Sequence, residues 1–151
     1  MQSTFRINTK IDPTSGVMKC LAGTWDATNK VTKVMPAGPS AAEVAAYMGI
    51  FESDKRKLGK SWTDVVTYED IIAMIVGGDA WVEVDGAVEI GDMLEFSASV
   101  AGKFTKRTFA TLSAEPTKAE VEAEMKKQVF LPRIKVIMKM TEAGKCQVVV
   151  L

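Results

Sequence analysis

The stretch that decides the fold is Asp70–Phe104, DIIAMIVGGDAWVEVDGAVEIGDMLEFSASVAGKF. In it apolar and polar residues alternate in short runs cut by Gly77-Gly78, Asp85-Gly86, Gly91-Asp92 and Gly102-Lys103. Such runs, separated by turn-forming pairs, read as antiparallel strands of a small barrel or sandwich. Side chains alternate across a strand, so Val82 and Val84 share one face while Trp81, Glu83 and Asp85 share the other. Leu94 and Phe96 are set against Met93, Glu95 and Ser97 in the same way. One face is core, and the other meets water or a partner. Ahead of the glycines, Ile71–Val76 is a continuous apolar run that reads as a strand buried on both sides and ended by Gly77-Gly78. A helix starting at Thr67, with Glu69 and Asp70 in its first turn, is the competing reading.

Towards the N-terminus, residues 1–16 read as an extended arm closed by Asp12-Pro13 and Ser15-Gly16, and residues 17–151 as a single β-rich domain. Phe5, Ile7, Thr9 and Ile11 share one strand face, so the arm either adds to its own sheet or reaches outwards to pair with another chain. Val17–Trp25 and Lys30–Met35, joined by Asp26–Asn29, form a hairpin pattern. Ser40 and Glu43 make a capping box for a short helix running to about Tyr47, with an extended run over Ala45–Glu52 as the alternative. Ser53–Ser61 is polar enough for an exposed loop, and Trp62–Tyr68 has strand character.

Towards the C-terminus, Arg107–Leu112 continues as a strand. Thr117 and Glu120 then cap a helix over roughly Lys118–Val129, whose stripe of Val121, Met125 and Val129 predicts a surface helix with one edge buried. After Pro132, Ile134–Met138 and Gln147–Leu151 form a closing hairpin. The fold class is therefore mainly β, a β-rich α+β body: a small antiparallel barrel or sandwich with an extended N-terminal arm and one or two short surface helices.

Composition narrows the chemistry. The 151 residues suffice for one core. The 19 basic and 19 acidic side chains cancel, which argues against a nucleic-acid binder or a polybasic membrane patch. Lys55-Arg56-Lys57 and Lys126-Lys127 read as solvated faces. There is no histidine, so the usual general base and the commonest zinc ligand are missing. Cys20 and Cys146 stand far apart, outside any metal-ligand spacing, and read as buried free thiols. The N-terminus lacks an apolar signal core and no apolar run is long enough to span a bilayer, so synthesis in a cytoplasm is expected.

No reactive constellation emerges. Asp79, Asp85 and Asp92 lie in separate glycine-containing segments without DxDxDG spacing, and read as turn residues. Glu83, Asp85, Glu89 and Glu95 define a candidate acidic face. Gly77-Gly78 lacks GxGxxG order, and Ser97, Ser99 and Ser113 have neither a histidine nor a GxSxG elbow. The chain thus reads as no enzyme, with no catalytic residue, metal or cofactor. Trp25, Trp62 and Trp81 remain as core, interface anchor or ligand platform.

Gly78, Val82, Val84, Gly86, Val88, Ile90, Gly91, Asp92, Leu94, Ser97, Gly102 and Lys103 match a phrase in which a glycine-bounded strand leads through a tight turn into "v.iGD.l..S...Gk". Over about half its length the chain resembles the head decoration, or capsid cement, proteins of tailed bacteriophages. Gly16–Lys19 and Met48–Ile50 look like the opening strands of such proteins. The helix at Lys118–Val129 and the loop Ser53–Ser61 are not part of the phrase. The resemblance implies a bacteriophage virion protein that binds the outer surface of the assembled head and stabilises contacts between major capsid subunits. It implies the major capsid protein as partner and a homo-oligomer, with a trimer favoured. The expected contact residues are Phe5, Ile7 and Ile11 on the arm, with Trp25, Trp62 and Trp81 as anchors. A carbohydrate- or peptide-binding module built on Trp81, Trp62 and the acidic face is the alternative from another class; a phage tail or fibre component shares the fold expectation.

Overall fold

A computed structural model describes residues 4–11, 19–52 and 71–151. The expected turn at Asp12-Pro13, loop Ser53–Ser61, strand Trp62–Tyr68 and helix from Thr67 lie outside the described residues. The architecture is mainly β, with an antiparallel sheet that does not close into a barrel.

The fold is built on one strand. Ile71–Val84, β5, is 14 residues long and runs straight through Gly77-Gly78, where a strand end was expected. The change at the glycines is one of neighbours. Before them, Lys10–Phe5 of β1 (Phe5–Lys10) pairs antiparallel with Ile71–Gly77, and β4 (Tyr47–Phe51) pairs on the other edge through Ile50 and Phe51. After them, Gly78–Val84 pairs with Val150–Gly144 of β9 (Gly144–Val150). Val84 also meets Phe104 of β7 (Phe104–Lys106) in a parallel bridge. Gly78 has φ +86°, a conformation that L side chains resist, so the chain kinks there without losing its ladder.

The hydrophobic pattern follows this switch. In the continuous run, Met74 and Ile75 are both buried although they point to opposite faces. Beyond the glycines the pattern alternates, with Ala80, Val82 and Val84 buried between Asp79, Trp81 and Glu83. Asp79 is therefore a strand residue and not the turn residue expected.

Each half of β5 organises a curled sheet. In the first, β4 pairs with β2 (Ala22–Asp26), which forms a hairpin with β3 (Val31–Val34). The outer strands β3 and β1 touch at an Ile11–Thr32 bridge, where the buried hydroxyls of Thr9 and Thr32 share a hydrogen bond. In the second, β9 pairs with β8 (Ile134–Val136), and β7 with β6 (Leu94–Phe96). A Met93–Lys135 bridge joins the outer ends. Ile11, Leu21, Phe51 and Met74 fill the first curl; the second packs Val82, Val84, Leu94, Phe96, Phe104, Ile134, Val136, Cys146 and Val148 into the larger core. Burial of each such side chain stabilises by about 1.5–3 kcal/mol.

The helices are capped as the sequence predicts. Ser40 and Glu43 bracket α1 (Ala41–Ala45), but it ends at Ala46 and Tyr47 already belongs to β4, so the two readings of this region divide it between them. Thr117 and Glu120 bracket α2 (Lys118–Phe130). The expected burial of its stripe holds only in part: Val121 is partly buried, but Met125 is 62% and Val129 75% exposed, and Glu124 and Gln128 are partly buried in their place. The expected strand Arg107–Leu112 is also absent. Past Lys106, the Arg107 guanidinium turns inward and donates to the carbonyls of Leu94 (3.2 Å) and Pro132 (2.6 Å), and Phe109 is left exposed.

The two curls are locked by the loop after β6. Gly102 N donates to Met35 O at 2.7 Å, and Ala22 N to Gly102 O at 2.8 Å. Gly102 has φ +72°, and a Cβ there would stand 2.7 Å from Val34 Cγ1 and 2.8 Å from Leu21 Cβ. Gly91, at φ +94°, has nothing within 4 Å of such a Cβ. Gly91→Ala should therefore cost only backbone strain, about 1–2 kcal/mol. Gly102→Ala adds a steric clash and should cost about 2–5 kcal/mol in urea unfolding. Equal losses would mean that the loop is not clamped between β2 and β3.

Candidate functional site

The described residues hold no cluster of three or more histidine, cysteine, aspartate or glutamate side chains able to ligate a metal. The candidate acidic face is neutralised in place. Glu83 pairs with Lys103 (3.4 Å), Glu89 with Lys139 (2.9 Å) and Glu95 with Lys127 (3.5 Å). Asp92 pairs with Lys106 (2.9 Å).

Asp85 and Ser97 form a structural hub. Ser97 is buried, donates its hydroxyl to Asp85 Oδ2, and accepts the amides of Ser99 (3.1 Å) and Val100 (3.0 Å) at Oγ. Its own amide donates to Lys103 O and its carbonyl accepts Gly38 N, so the residue ties β6 to its following loop and to the approach to α1. Loss of the Ser97 hydroxyl leaves one carboxylate and two amides short of a partner. Ser97→Ala should cost about 1–3 kcal/mol, read from the urea midpoint.

Several carboxylates are held below their ordinary range by local hydrogen bonds. The Asn29 side chain and amide do this for Asp26, the Ser40 amide for Glu43 and the Thr117 amide for Glu120. For Asp92 the main cause is the Glu89 amide, followed by Lys106. A carboxylate depressed on folding contributes stability that is complete above its unfolded value, about pH 4, and lost as pH falls through the folded one. Acid titration of unfolding should show stability falling below about pH 4. In Asp92→Asn that fall should be shallower, and an unchanged slope would remove Asp92 from the linkage.

Both thiols are free and buried. Burial pushes Cys20 up to about 11, and it also raises Cys146, whose Sγ donates to Met138 O at 3.2 Å. Neither has the lowered pKa of a nucleophile.

The expected contact residues separate into groups. Phe5 is 65% exposed, Ile7 is exposed at the same edge, and Val76 of β5 is exposed beside them. Phe5 pairs with Gly77 across a bulge, and a Cβ on that glycine would be 3.3 Å from Phe5 Cδ2, so the ring lies over the kink of β5. Arg6, between the two apolar residues, pairs with Glu52. Ile11 is wholly buried in the core of the first curl; it corrects the expectation of a contact residue, because the β1 twist carries it inward under Thr32. Trp25 (37% exposed) stands opposite Thr32, and Trp81 (41%) opposite Gln147. Trp62 lies outside the described residues. The arm is thus a strand of its own sheet, and along Phe5–Asn8 it pairs with β5 alone among the described residues.

One feature of the surface has no counterpart in the sequence reading. A cleft of about 580 Å³ opens between α1 and α2, lined by Pro39, Ala41, Val44, Phe96, Ala123 and Leu131, with Glu95, Lys126 and Lys127 at its polar side. Phe96 is backed by Tyr47, ring centroids 5.2 Å apart, and by Phe104 at 5.6 Å. The Tyr47 hydroxyl is buried without a hydrogen-bond partner among the described residues, and burial raises its pKa. No periodicity announces the cleft, because its walls come from segments far apart in the chain.

Compared with models of known protein families and with curated proteins, the sequence matches none. No helix among the described residues is long and apolar enough to cross a membrane.

Proposed function

We propose that the chain is a bacteriophage virion protein that binds the outer surface of the assembled head and stabilises contacts between major capsid subunits, acting as a homo-oligomer, a trimer by preference. The observation that supports this reading is the apolar edge formed by Phe5, Ile7 and Val76 on a body where Glu83, Glu89, Asp92 and Glu95 are held in ion pairs. An exposed edge strand with apolar side chains is a template for strand addition, in which backbone hydrogen bonds give affinity and side-chain pockets give specificity. Repeated attachment at many equivalent positions then multiplies a modest contact into a stable coat.

The working surface is narrower than the whole arm. Ile11 serves the core, so Phe5–Asn8 and the neighbouring Val76 carry the contact, with Trp25 and Trp81 as further anchors. Removal of the arm would strip β1 from β5 and open the core, so the informative variant is Phe5→Asp/Ile7→Asp, which keeps the strand. In co-sedimentation with assembled heads that lack this protein, the natural chain should bind. The double variant should bind at least tenfold more weakly, with its unfolding midpoint little changed. Equal binding by both chains, or no binding by the natural one, overturns the reading.

A further inference from the structure

We propose that the cleft between α1 and α2 is a binding site for a small apolar monoanion: a ring or short hydrocarbon body carrying one carboxylate or sulfonate and an N–H or O–H donor. The inference stands apart from attachment to heads, because it concerns a different face and a different class of ligand.

Size and lining come first. Sites for small molecules are concave, mostly apolar and of roughly 300–1,000 Å³, with a few convergent polar groups. The volume here, about 580 Å³, falls in that range, and the apolar side is made by Val44, Phe96, Leu131, Pro39 and the small side chains Ala41 and Ala123. The walls are fixed independently of any ligand. Capping boxes hold both helices, and Gly38 N donates to Ser97 O at 3.0 Å to pin the segment before α1. Arg107 holds the far end of α2 through Pro132 O and through Gln128 Oε1 at 3.4 Å.

Charge selects the ligand. Two lysines and one glutamate line the cleft, a net positive charge. Lys127 is engaged by Glu95 at 3.5 Å and by Thr108 O at 3.5 Å. Lys126 makes no ion pair among the described residues, and so supplies the cation for one anionic group. Glu95 gives the second polar requirement. Its Oε1 accepts from Thr108 Oγ1 at 3.4 Å, and its buried Oε2 faces Lys127 Nζ at 3.5 Å as an ion pair but accepts no hydrogen bond among the described residues. A buried carboxylate oxygen held only by a long ion-pair contact keeps acceptor capacity that a ligand N–H or O–H would use.

The test uses 8-anilinonaphthalene-1-sulfonate, which combines an aromatic body, one anion and one N–H, and its uncharged counterpart N-phenyl-1-naphthylamine. Fluorescence titration of the full chain should give one site per chain for the sulfonate, with the uncharged probe at least tenfold weaker. Lys126→Glu alters an exposed side chain and should weaken sulfonate binding at least tenfold; Ala123→Phe, which fills the cleft, should abolish it. Thermal unfolding of both variants checks that they fold. Binding that ignores the anion or survives both substitutions overturns the proposal. So does binding that is lost instead in Phe109→Ser or Met125→Ser, which would place the probe on the exposed apolar surface outside the cleft. Absence of sulfonate binding by the natural chain overturns it as well.

Discussion

The structure depends on a single strand having four neighbours. β5 takes β1 and β4 along its first half and β9 and β7 along its second, so both curled sheets share its backbone. This works only because the strand can change direction between the two sets of partners. Gly77-Gly78 supplies the change, with Gly78 at a positive φ that lets the ladder continue through a kink. A side chain at Gly78 would hold this φ only at a cost of about 1–2 kcal/mol of backbone strain.

The curls solve the problem of exposed edges in the same manner. A sheet edge presents unpaired amides and carbonyls that invite other chains. Here the outer strands of each curl touch at one bridge, Ile11–Thr32 in the first and Met93–Lys135 in the second, without the continuous ladder that would make a barrel. The first curl is narrow at Gly23, where a Cβ would lie 2.5 Å from Met74 Cε and 2.9 Å from Phe51 Cζ and would make those buried side chains shift. What stays open is the beginning of β1, where Phe5 and Ile7 are exposed.

Much of this was legible in the sequence, and the reasons differ by element. Alternation gave the faces of β5 beyond the glycines and of β6, because the period of a strand is set by its backbone geometry. Side-chain chemistry gave both helix starts, because a capping box is a local hydrogen-bond exchange. Gly77-Gly78 was misread because a pair of glycines permits both a turn and a kinked strand, and the decision comes from distant partners, Phe5 and Val150. Arg107 was missed for a similar reason: the carbonyls it holds, of Leu94 and Pro132, belong to other segments. On α2, spacing predicted a buried stripe of Val121, Met125 and Val129, but of these only Val121 turns inward, together with Glu124 and Gln128. The apolar edge at Phe5 and Ile7 was anticipated from residue type; the cleft was not, since it exists only after α1 and α2 are brought together.

The sharing of β5 also governs how such a chain comes together in time. Its two main partners, β1 and β9, come from near the two ends of the described chain, while β5 lies in the middle. Neither ladder can form until a long intervening segment has been closed into a loop, and the entropy of that closure is spent before the contacts repay it. Small proteins dominated by such distant pairings fold on the order of milliseconds to seconds, well behind helical bundles of similar size. The hairpins β2–β3, β6–β7 and β8–β9 are local and can form early, but each remains a marginal fragment until the central strand is captured. Until that moment Ile71–Val76 is an uncovered apolar segment, and the lifetime of that exposure sets the risk of aggregation during synthesis.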